Sequence, residues 1–97
     1  MNNLERSIIT KKLIDIMVKQ LSQWAFYDST VSITEQTDLC KDLGLDSLTL
    51  VVMQIELEDA FHIRFDTARE DFRLVFSTVG TLSECIARHI EEQHNEQ

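Results

Sequence analysis

The 97-residue chain contains no proline and only two glycines. That scarcity constrains the fold more than any other feature, because sandwiches and barrels need frequent turns and turns need those residues. The chain therefore reads as helices with few connections. Hydrophobic residues make up 43% of it, enough for a core. No apolar run approaches the ~18–20 residues that span a bilayer, and Met1 to Arg6 lack the basic-then-apolar layout of a signal peptide. Two cysteines, Cys40 and Cys85, cannot build a disulfide scaffold. The expectation is one soluble, cytoplasmic, monomeric all-α domain over residues 1–97, with its core at 4–92 and a polar tail at 93–97.

Periodicity locates the helices. From Leu4 to Trp24 a 3.6-residue repeat places Ile9, Leu13, Ile16, Met17 and Trp24 on one face, with Lys11, Lys12, Asp15 and Lys19 away from it. From Phe26 to Gly44 the repeat dissolves into a long loop, which Val31, Ile33, Leu39 and Leu43 could pin. A second helix runs from Ser47 to Phe61. A short third helix is expected to start at Thr67–Glu70, a capping-box pattern, and to carry Phe72, Leu74, Val75 and Phe76 inward. The last helix has the same pattern at Thr81–Glu84, with Val79, Leu82, Cys85, Ile86, His89 and Ile90 in helical spacing. The expected architecture is a four-helix bundle with a short third member and a long loop between helices 1 and 2.

Seventeen acids against nine bases leave a net charge of −8, which argues against nucleic acid or an anionic membrane as the main partner; with no apolar run to span a bilayer, no membrane insertion is expected. Residues 28–59 concentrate it: Asp28, Glu35, Asp38, Asp42, Asp46, Glu56, Glu58 and Asp59 face only Lys41, for −7. Such a segment is either a solvated face or a docking surface for basic partners.

Self-contained catalysis finds no support. His62, His89 and His94 show no His-x-x-x-His spacing and neither cysteine sits in a Cys-x-x-Cys, so no metal site is expected; Cys85 and His89 read as core-edge residues. Asp38–Asp46 resembles a calcium loop only superficially, with leucine where that loop needs glycine and no closing glutamate. Gly44–Leu48 does not fit a nucleophile elbow. What remains is Ser47, after Gly44 and Asp46 at the start of the second helix. It reads either as part of an ordinary helix cap or as a hydroxyl that carries a phosphate ester, which free N–H donors and the helix dipole would suit.

The run Asp38-Leu39-Cys40-Lys41-Asp42-Leu43-Gly44-Leu45-Asp46-Ser47-Leu48 resembles the acyl carrier protein family, whose signature is an acidic-hydrophobic lead-in, Leu-Gly and then Asp-Ser-Leu. The resemblance continues through Met53, Ile55 to Asp59 and Phe61, and resumes from Thr78 to Ile90. It implies that Ser47 receives 4′-phosphopantetheine from coenzyme A through a phosphopantetheinyl transferase, and that the arm's thiol holds an acyl group as a thioester. It further implies that Asp46 helps the transferase hold its magnesium ion and that Leu48 touches partner enzymes. The chain would then be a covalent shuttle and not an enzyme, serving acyl-loading and acyl-transfer enzymes of fatty-acid, polyketide or lipid-modifying chemistry. An aminoacyl or peptidyl carrier and an unloaded adaptor with the same fold are the alternatives. Thr49 and Val52 stand where family members often place acids, and the segment from Phe61 to Val79 is longer than usual; both suit a specialised carrier as well as a housekeeping one.

The second helix has two apolar faces. Leu50, Met53, Leu57, Ala60 and Phe61 gather on one side at ~100° per residue, and Leu48, Val51, Val52 and Ile55 on the other, bordered by Glu56, Glu58 and Asp59. Packing on a single core needs one face. The second is expected to dock partners with basic patches, through Leu48, Val51, Val52, Ile55, Glu56 and Asp59, unless the loop or third helix covers it near Ile55.

Overall fold

The computed structural model describes residues 3–23, 32–66 and 70–95. Among them are four α-helices: α1 Asn3–Gln23, α2 Ser47–Phe61, α3 Phe72–Val75 and α4 Val79–Asn95. The all-α bundle with a short third helix is the architecture the periodicity predicts. On α1, Ile9, Leu13, Met17 and Leu21 step down one face in buried positions, with Ile16 partly covered. Trp24 and Val31 lie outside the described residues. This face packs against α4 and, less broadly, α2.

A polar seam crosses the α1–α4 contact. Ser83 is fully buried on α4, where an unpaired hydroxyl would cost about 1–3 kcal/mol. It is paired twice: its Oγ accepts from Arg6 Nε at 3.2 Å and shares a hydrogen bond of 2.7 Å with Thr10 Oγ1. Arg6 also donates to the Gly80 carbonyl and lies 3.7 Å from the Glu35 carboxylate. On α1's other flank, Lys12 sits 4.9 Å above the Phe61 ring of α2.

The predicted core face of α2 is buried at Leu50, Met53, Leu57 and Phe61, with Ala60 packed beside them. The helix stops at His62, which takes a left-handed φ of 56°; its N–H and that of Ile63 both donate to the Glu58 carbonyl. The chain then buries Ile63 and Phe65, and the Phe65 N–H donates to Glu58 Oε2 at 2.9 Å.

Two helix starts differ from expectation. Thr67 lies outside the described residues, and α3 begins at Phe72 with Asp71 as its cap, accepting from the Arg73 N–H at 2.9 Å. A helix of one turn can cover only one side. Phe72 and Val75 take it, with Phe76 buried just beyond, and Leu74 is 68% exposed instead of turning inward. The start of α4 lies before the expected Thr81. The Thr78 N–H donates to Thr81 Oγ1 and the Thr81 N–H to Thr78 Oγ1, so Thr81 is the inner partner of a reciprocal box.

The loop before α2 is pinned, as predicted, by Leu39, with Ile33 and Leu43 partly buried; Leu45 adds a further buried anchor. Backbone bonds reinforce this. Asp38 pairs with Thr78 in an isolated antiparallel bridge, Leu39 N–H donates to the Ser77 carbonyl, and Val79 and Gly80 N–H donate to Thr37 and Glu35. A Cβ on Gly80 would lie 3.0 Å from the Glu35 carbonyl oxygen. Glycine there lets the loop backbone meet α4 directly.

Candidate functional site

The site begins with a turn. Asp38 Oδ1 accepts from the N–H groups of Cys40 and Lys41, and Asp42 Oδ2 accepts from Asp38 N–H. The turn closes at Gly44, whose φ of +70° is a conformation that L side chains rarely adopt. Its N–H donates to the Cys40 carbonyl, and that of Leu45 to Leu39. The buried Leu45 fixes the point from which α2 departs.

Asp46 follows in extended conformation and caps α2. Its Oδ1 accepts from the Thr49 N–H at 2.8 Å, and its carbonyl accepts the first helical bond from Leu50. Ser47 is therefore the first helical residue and no cap. The Thr49 hydrogen bond holds the Asp46 carboxyl below its ordinary range, so a negative charge stands beside Ser47. Ser47 itself is exposed, at the helix end where backbone N–H groups lack intrahelical acceptors.

Leading away from Ser47, Leu48, Val51, Val52 and Ile55 are 74%, 44%, 38% and 58% exposed. The described parts of the loop and α3 leave Ile55 uncovered. Asp59 is also exposed, and Leu48, Val52, Ile55 and Asp59 follow a spacing of four, three and four that keeps them on one face. Two bordering acids are engaged elsewhere. Glu56 accepts from Gln20 of α1 at 3.2 Å, and Glu58 holds the Phe65 N–H. The structure thus brings Asp46, Ser47, the apolar strip and Asp59 along one side of α2, with Glu56 turned toward α1.

An exposed serine heading the second helix of a small bundle is the arrangement of a prosthetic-group carrier, and a family model described as a phosphopantetheine attachment site matches residues 11–86. The chain is 38% identical over 73 residues to an acyl carrier protein of Phytoplasma australiense, covering 74% of this chain and 90% of that one. It is 31% identical over 87 residues to an acyl carrier protein of Amoebophilus asiaticus (strain 5a2), covering 90% and 99% respectively. The chain belongs to the acyl carrier protein family. It is a carrier and not a catalyst, and its prosthetic group is 4′-phosphopantetheine.

One cluster escaped the sequence reading. Glu70, Cys85 and His89 converge between the segment before α3 and the body of α4. It has neither paired histidines nor paired cysteines; its signal in the sequence is Cys85 and His89 four apart on one helix.

Proposed function

We propose that this chain carries acyl groups as thioesters on a 4′-phosphopantetheine arm joined to Ser47, as one domain over residues 1–97, acting as a monomer in the cytoplasm. The observation that supports it best is the exposed position of Ser47 as the first residue of α2, held in register by the Asp46 cap. These residues fit the group. An exposed hydroxyl is open to a phosphopantetheinyl transferase, and the positive end of α2 favours the phosphodiester charge that would sit there. Asp46 stays ionised beside it and offers a carboxylate to the transferase's magnesium ion.

When bound, the arm supplies a flexible thiol tether that keeps a cargo at high local concentration for successive enzymes. The chain's own part is to orient that tether and be recognised. Leu48, Val51, Val52 and Ile55 supply apolar area for burial by loading and transfer enzymes, and Asp59 supplies charge that steers a basic patch. Glu56 serves the same end more weakly because Gln20 already engages it. Among the described residues no helix is long and apolar enough to cross a membrane. The two relatives are both acyl carriers, which supports acyl over aminoacyl cargo.

Incubation with coenzyme A, magnesium and a broad-specificity phosphopantetheinyl transferase tests the proposal. One phosphopantetheine should be added and map to Ser47, and Ser47→Ala should fold yet gain no mass. Because Ser47 is not the cap, that substitution should change stability by no more than about 0.5 kcal/mol. Labelling at another residue, or none where a control carrier loads, overturns it.

A further inference from the structure

Where Glu70 meets α4, three Lewis bases come together. Glu70 Oε2 lies 2.6 Å from Cys85 Sγ, and Glu70 Oε1 lies 2.6 Å from His89 Nε2. The three donor atoms all fall within 4.8 Å of one another. Sulfur is larger than nitrogen, yet this sulfur stands nearer its oxygen than the about 2.7–3.2 Å usual for nitrogen donors. Thiol, imidazole and carboxylate together form a donor set of borderline softness, the kind that selects zinc over magnesium or calcium. Around a tetrahedral zinc, with bonds near 2.3 Å to sulfur and 2.0–2.2 Å to nitrogen and oxygen, such atoms stand roughly 3.3–3.6 Å apart. Shifts of about an ångström take the present cluster to that geometry, well within side-chain reach.

The surroundings orient the donors as metal ligands usually are. The Asp66 N–H donates to Glu70 Oε1 at 3.0 Å, fixing the carboxylate. The Phe65 ring stands edge-on to the His89 imidazole, with centroids 5.6 Å apart, fixing its plane. Cys85 is buried, whereas Glu70 and His89 line a cleft of about 500 Å³ whose walls carry mixed charge, Glu92 and Asp71 beside Arg64 and Arg88, so an ion has a route in and a water has room at a fourth position.

We propose that Glu70, Cys85 and His89 form a binding site for one zinc-like divalent ion, which clasps the segment before α3 onto α4. Occupancy ties Glu70 to the buried face of α4 that carries Cys85. Binding is independent of the prosthetic group, since Ser47 contributes no donor.

Cobalt(II) titration of the untagged, reduced 97-residue chain tests this, because a thiolate ligand gives cobalt a near-ultraviolet charge-transfer band and tetrahedral geometry gives intense visible bands. The Cys40→Ser chain should bind one cobalt with both signals, and zinc should displace it. Cys85→Ser should lose the charge-transfer band. Glu70→Gln and His89→Gln should weaken affinity by at least the roughly tenfold that even an outer-shell partner costs. Circular dichroism of each variant separates lost ligation from lost folding, and the Cys40→Ser titration needs no change at the site. No charge-transfer band in Cys40→Ser, or a band that survives in folded Cys85→Ser, overturns the proposal and leaves the cluster a hydrogen-bonded clasp.

Discussion

Glutamate placed at Val52 and at Leu57 separates the two faces of α2. Leu57 is fully buried. Replacing it forfeits about 1.5–3 kcal/mol of side-chain burial. Keeping the new carboxyl neutral at pH 7, from an ordinary pKa near 4.3, costs about 3.7 kcal/mol more. The total of about 5–7 kcal/mol rivals the whole stability of a small domain, roughly 5–15 kcal/mol. At Val52, 38% exposed, the partial burial lost is worth about 1 kcal/mol or less. Glutamate's better helix propensity returns a few tenths, and repulsion from Glu56 four residues on removes about 0.2–0.5 kcal/mol. Val52→Glu should therefore lower Tm by no more than about 4–8 °C while Leu57→Glu unfolds the domain, both read by thermal circular dichroism. Acyl transfer to a cognate enzyme should fall by about tenfold or more in folded Val52→Glu, as expected when a contact worth over 1 kcal/mol is lost. Equal destabilisation by the two variants, or unimpaired transfer by Val52→Glu, refutes the assignment of this face to partners.

Other outcomes follow from the turn and the cap. Gly44→Ala should cost about 1–2 kcal/mol, measured by urea denaturation; space is not the cause, since nothing lies within 4 Å of a Cβ there, and Gly44→Asn should recover part of the loss. Asp46→Ala should lower stability, because the Thr49 N–H loses its cap. Because the Thr49 hydrogen bond holds the folded Asp46 carboxyl below its ordinary range, its contribution is complete above the unfolded value and disappears as pH falls through the folded pKa; NMR of the Thr49 amide should follow the same curve. Added salt should raise Tm, and magnesium more so at equal ionic strength, because the −7 carried by residues 28–59 repels itself less as the screening length shortens to about 10 Å at 0.1 M.

The faces of α1 and α2 were legible because burial imposes a period, and Leu13, Met17, Leu50, Met53 and Leu57 obey it. Where one turn does all the work, period fails: α3 is too short to declare a face, so Leu74 and Phe72 looked alike in sequence, yet one is exposed and the other packed. Caps were half legible. Thr78 and Thr81 both suit the role, and only the reciprocal hydrogen bonds show which residue is outside the helix. The pairing of Asp38 with Thr78 had no signature, since backbone bonds between distant segments leave no residue pattern except the glycine at position 80. The place of Ser47 at the start of α2 was legible through the residues around it. The Glu70–Cys85–His89 cluster needed the third dimension, because Glu70 reaches α4 from a different segment.

The bridge between the loop and α4 also sets an order of events. Chains leave the ribosome from the N-terminus, so Ser47 emerges well before Thr78 and Gly80, the residues that hold the approach to α2 in place. Until those residues exist, Leu39 and the Asp38–Gly44 turn lack part of their anchorage, and the path into Ser47 is unframed. The same dependence makes a chain truncated before α4 a poor imitation of the carrier even though it contains every residue of the attachment motif. A nascent chain and a finished one thus differ at Ser47 in shape while agreeing there in sequence.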